Sequence, residues 1–223
     1  MNLAHLQHQF ERIYEVAVPH NVDDFVFSDE DMARSLATDT ELPTTSEQLF
    51  VQEGHHGMDV SLYLEQSVVD HLRDDDPTLR LHDGNLPDFL TALEGVSHFL
   101  YLTWNAGFER EVSVLELEMQ AEVDKYITSS FLFGQQAEGR IPSELSNRLF
   151  DERFDDTIRK RYAEANYYAR LFCRGIEEKY WSAPHALGLV NELRRFYRLT
   201  RWQKIDHIAA AQGPKFKPFV YRH

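Results

Sequence analysis

Up to residue 84 the spacing of apolar positions changes every few residues; beyond it the spacing is helical almost throughout. Leu3, Leu6, Phe10, Ile13 and the pair Val16/Val18 recur on one side of a helix predicted over 2–17. DDFVFS (23–28) has the composition of a short strand, and Ser28 with Asp31 suits the start of a short helix over 29–37. TDTELPTTS (38–46) is a loop by composition. The clearest β signal follows. LFVQE and MDVSLYL partly alternate apolar and polar residues around GHHG (54–57). That pattern predicts strands near 49–53 and 58–64, a hairpin spanning 49–64, with His55 and His56 exposed at its turn. A helix over 65–73 comes next. The acidic, proline-bearing stretch 74–87 is the best candidate for a linker.

The second half reads as a helical bundle. FLTALEGVSHFLYLTW (89–104) is apolar nearly all round, the mark of a buried helix, and Asn85 is placed to cap it. NAGFERE (105–111) turns the chain. Ser113 and Glu116 have capping-box spacing, with Val112 and Leu117 as the matching hydrophobic staple. The helix they open carries apolar faces on opposite sides and runs to about residue 130. A loop over 134–144, a long helix over 156–180, a break at WSAPH, and helices over 185–199 and 200–211 complete the pattern. The fold class expected is α+β and predominantly helical: a small N-terminal lobe (1–84) with a hairpin, packed on a helical bundle (85–211), then a basic tail (212–223). The lobes either share one core or fold as neighbours.

Composition narrows the setting. Apolar residues make up 43% of the chain, enough for a sizeable core. The single cysteine, Cys173, rules out an internal disulfide and fits a reducing compartment. Neither a signal peptide nor a membrane-length apolar run is present, so a soluble, cytoplasmic protein with no membrane partner is expected. The net charge of −14 is uneven. Residues 1–100 hold 20 acidic and 4 basic residues, whereas residues 151–223 hold 9 and 15. The acidic half repels nucleic acid and anionic lipid, and the basic end has the acidic half at hand to neutralise it.

Candidate chemistry centres on two helices. Glu94, His98 and Tyr101 form one stripe on the first, and Glu118, Glu122 and Lys125 one stripe on the second. Packed antiparallel, the stripes would meet. Carboxylates on buried helices must be paired, protonated or metal-bound. A structural polar network is therefore expected. The alternative is a divalent metal site (manganese, iron or zinc) on Glu94, His98, Glu118 and Glu122. The spacing Glu-x-x-x-His differs from the Glu-x-x-His of di-iron bundles. Glu116 is explained by its cap, and Gln120 and Asp124 are expected to face water. Ser97 and His98 are helix neighbours and do not face each other, so they form no dyad. Asp74–Asp76 are read as a solvated run, and Cys173 as a small buried hydrophobe.

The C-terminal segment interleaves Arg194, Arg195, Arg198, Arg201, Lys204, Lys215 and Lys217 with aromatic residues, which could hold single-stranded nucleic acid. The roughly three-residue recurrence of Leu193, Phe196, Leu199, Trp202, Ile205 and Ile208 favours a core helix instead, and a tail that contributes little to stability. With no complete catalytic constellation, the expected function is that of a non-catalytic interaction or regulatory protein whose partner is another protein or a second copy of itself. A metal-dependent enzyme comes second and a nucleic-acid-associated protein third.

Overall fold

The computed structural model describes residues 1–37, 45–54, 57–150, 156–181 and 186–220. The fold is predominantly helical α+β, 65% helix, with a small three-stranded sheet. Helix α1 (Leu3–Tyr14) leads into strand β1 (Val26–Phe27) and the short helix α2 (Glu30–Leu36). Strands β2 (Glu47–Gly54) and β3 (Gly57–Leu64) form an antiparallel ladder from Glu47↔Leu64 to Gly54↔Gly57. The ladder thus reaches both glycines, and Gly57 takes a φ of 145° that side chains avoid. His55 and His56 lie outside the described residues. β1 joins β3 in parallel, giving the order β1-β3-β2.

Helix α3 (Gln66–Asp74) precedes α4 (Leu86–Ala106) and α5 (Val114–Gln136), followed by α6 (Leu145–Leu149) and α7 (Asp156–Ile176). A π-helical turn (Glu177–Trp181), α8 (Ala186–Arg198) and α9 (Arg201–Gln212) follow. α4 is apolar all round because α1, α3, α5, β2 and β3 all pack on it. α5 has two apolar faces because α4 lies on one side and α7 on the other. The buried cluster runs without a break from Leu6 through Leu64 and Phe99 to Ile208.

The stretch predicted as a linker is tied down at several points. Gln136 donates to the Pro77 carbonyl (2.9 Å) and accepts from the Leu81 N–H (2.7 Å), and Leu81 is buried. Asn85 does not cap α4 with its side chain. It holds the preceding loop instead, accepting from His82 N–H (2.9 Å) and donating to the Arg80 carbonyl (2.8 Å). Two expectations for the C-terminal end also change. Trp202, assigned to the core, is 64% exposed, because Thr200 and Gln203 form a capping box that starts α9 afresh and breaks the register carried over from α8. The tail is not idle: Phe216 stacks on Tyr168, Phe219 lies against Tyr167, and Tyr167 donates to the Lys217 carbonyl (2.7 Å).

Candidate functional site

The pairs Tyr101–Glu116, His98–Glu118 and Glu94–Lys125 descend α4 as they climb α5, so the two helices are antiparallel. Four of the candidates lie close together. His98 Nδ1 faces Glu47 Oε1 at 3.3 Å, and Nε2 faces Glu118 Oε2 at 3.4 Å. Lys125 Nζ bridges Glu94 (2.9 Å) and Glu122 (2.6 Å). All of these groups are largely buried; Glu94, at 24% side-chain exposure, is the side that opens to water. Burial opposes charge on His98, but Glu118 and Glu47 outweigh it and hold the imidazole pKa well above the ordinary value. Burial pushes Glu47 and Glu122 up against the pull of His98 and Lys125, whereas Lys125 and His98 together bring Glu94 down.

Glu47 is the member that the sequence did not suggest. It comes from the edge of the sheet, and Gly95 lets it in. A Cβ on Gly95 would stand 3.0 Å from Leu62 Cδ1 and 3.1 Å from Glu47 Cγ. A glycine in the middle of an otherwise strong apolar helix was the available signal, since such a residue costs helix stability unless something approaches closely.

Tyr101 belongs to a second network. It donates to Glu116 (2.6 Å), which also accepts from Arg110 and from the Arg201 N–H (3.1 Å). Ser113 accepts from the Glu116 N–H, so half of the predicted capping box is present while the carboxylate is used elsewhere. Gln120 and Asp124, expected to face water, are buried. Asp124 accepts from Tyr14, from Ser97 (2.5 Å) and from Gln120 (2.9 Å), and burial still pushes its pKa up to about 6. Lys204 is the least expected member. It is fully buried, donates to Gln120 Oε1 (2.5 Å) and lies 4.2 Å from the Phe196 ring centroid. Desolvation pulls its pKa down to about 7, partly offset by Glu116 and Asp124.

The basic segment therefore forms no single surface. Lys204 is inside. Arg194 donates to the Ile13 (3.0 Å) and Arg12 (3.2 Å) carbonyls and pairs with Glu15 (3.1 Å). Arg198 donates to the Tyr14 (2.9 Å) and Glu15 (3.0 Å) carbonyls. Both arginines thus satisfy the orphan carbonyls at the C-terminus of α1, where cations are favoured. Arg195, Lys215 and Lys217 are exposed, and Arg201 is half-buried over Trp202.

An exposed group forms where two helix–helix turns meet. Arg110 donates to the Leu199 carbonyl (3.2 Å) and Glu116 accepts from Arg201, which ties the α4–α5 turn to the α8–α9 turn. At these turns Phe108 is 69% exposed, Val114 48% and Trp202 64%. Trp104 meets Phe108 edge-on at 5.3 Å and lies under Arg198 at 5.8 Å, and Arg201 stacks on Trp202 at 4.3 Å.

Comparison with protein-family models, with curated proteins and with solved structures finds no match to this chain. Among the described residues, no helix is long and apolar enough to cross a membrane.

Proposed function

We propose that this protein is a non-catalytic interaction protein that docks an acidic, partly apolar segment of another protein against Trp104, Phe108, Val114 and Trp202. The observation that carries this reading is the knot between the α4–α5 and α8–α9 turns, which brings the half-buried Trp104 beside Arg198, with Phe108 exposed against it, and the exposed Trp202 beside Arg201. Tryptophan and arginine dominate binding energy at protein interfaces. Rings already stacked with guanidinium groups lose little freedom on binding. Acidic side chains would meet the arginines, and apolar ones would cover the rings. Lys204 is buried and Arg194 and Arg198 are tied to the end of α1, so the basic segment offers separate charges rather than the continuous stripe a nucleic acid requires.

The reactive groups support a non-catalytic role. Ser97 is bonded to Asp124. Cys173 is buried, with its thiol pKa raised well above the ordinary value. Lys204 is closed off from solvent. His98 lies between two carboxylates.

A fluorescein-labelled peptide alternating glutamate with leucine and phenylalanine tests the proposal by anisotropy. The full chain should bind it, more weakly at high salt, and Phe108→Ser with Trp202→Ser should abolish binding without changing the melting temperature. Binding of an oligo(dT) strand in its place, absence of any peptide binding, or a dimer that dissociates in the double variant would overturn this assignment of partner.

A further inference from the structure

Among the described residues, the four carboxylates Glu47, Glu94, Glu118 and Glu122 face one imidazole, His98, and one ammonium, Lys125, in a largely buried cluster. We propose that Glu47, Glu94 and His98 bind a divalent transition ion, zinc or manganese, with Glu118 as the partner that orients the imidazole. This inference rests on the α4–α5–β2 cluster alone and is independent of the docking surface.

Three observations support it. One ligand atom from each of Glu47, Glu94 and His98 lies within 4.8 Å of the other two. Zinc bonds nitrogen and oxygen at about 2.0–2.2 Å, so its ligand atoms sit a little over 3 Å apart. Side-chain shifts on the order of an ångström would therefore close the site. Second, His98 is only 4% exposed and points into the cluster, yet its Nε2 makes no hydrogen bond, with Glu118 Oε2 3.4 Å away. An ion on Nδ1, the nitrogen that faces Glu47, leaves the Nε2 proton for Glu118. This is the carboxylate–histidine–metal arrangement that fixes a ligand's tautomer. Third, Lys125 takes Glu94 through Oε2, leaving Oε1 for an ion, and Glu94 is the member that reaches solvent. One nitrogen and two carboxylate oxygens suit a borderline or hard divalent ion.

The histidine ligates as neutral imidazole. The acid–base groups facing that imidazole and its ligands are Glu47 from β2, Glu94 from α4, and Glu118, Glu122 and Lys125 from α5.

The test uses the full chain stripped with a chelator and titrated calorimetrically with zinc or manganese chloride alone. One ion per chain and a raised melting temperature are expected. Glu94→Gln and Glu47→Gln should each abolish binding. Glu118→Gln should weaken it about ten- to a hundredfold, the usual cost of losing such an orienting partner. Asp88→Asn, on α4 but paired with His71 away from the cluster, should leave it intact. Failure of both ions to bind the folded chain, or binding that survives in Glu94→Gln, would overturn the proposal.

Discussion

Gly95 shows how one residue sets the geometry of the cluster. Alanine there would gain ~1 kcal/mol of helix propensity. Its Cβ would press on Leu62, which is fully buried, and on Glu47. Overpacking a filled interior costs ~1–3 kcal/mol, so Gly95→Ala should lower stability in a urea titration and separate Glu47 from His98. A more stable variant would mean that β2 does not press on α4. The polar residues on α4 and α5 could be read from sequence as far as one helix pair defines them: Glu94, His98, Glu118 and Glu122 stand out against apolar neighbours. Glu47 could not, because its partner is 51 residues away and spacing along a helix carries no information about a strand edge. Asp124 and Gln120 could not either. A carboxylate beside an apolar face looks the same whether water or another helix lies beyond it, and here Tyr14 from α1 and Lys204 from α9 supply that other side.

At the scale of elements, periodicity located the hairpin and the long helices, and it failed where one helix ends and another begins. Residues 193–208 show one apolar recurrence, but Thr200 caps a new helix whose inward face carries Lys204 and Ile208 while Trp202 turns out. Capping chemistry was the signal there, and it outranks the spacing of large side chains across a break. In the tail, basic composition hides two aromatic anchors, Phe216 on Tyr168 and Phe219 on Tyr167. Removing residues 213–223 should cost about 2 kcal/mol for the partly buried rings, which lowers the melting temperature by about 4–8 °C for a chain of this size. An unchanged melting temperature would show that the contacts with Tyr167 and Tyr168 add nothing.

Across the whole molecule, buried charges set the pH dependence of stability, and their signs differ. His98 has a raised pKa in the fold, so its contribution is fully present below 6.5 and is lost as pH rises through the folded value. Asp124 keeps its proton in the fold up to about 6 but in the unfolded chain only to 3.8, so its contribution falls as pH rises through that window. Lys204 acts oppositely: the unfolded chain holds its proton to 10.5 and the fold only to about 7, so stability rises with pH between them. Lys204→Met should therefore flatten the profile above pH 7, with stability at neutrality unchanged or raised by about 1–2 kcal/mol, because apolar groups often replace buried charges without loss. A profile still rising between those values would remove Lys204 as the cause. The same burial that makes these groups matter for stability withdraws them from solvent, whereas Phe108 and Trp202 stay exposed on the surface proposed to dock a partner. Three tryptophans report on that claim directly: Trp104 and Trp202 lie at that end, whereas Trp181 stacks on Tyr126. The measurement is a titration of the folded chain with the acidic, leucine-bearing peptide, following the three indole N–H signals by NMR. Docking as proposed shifts Trp104 and Trp202 and leaves Trp181 in place; signals that stay fixed, or a shift confined to Trp181, would contradict it.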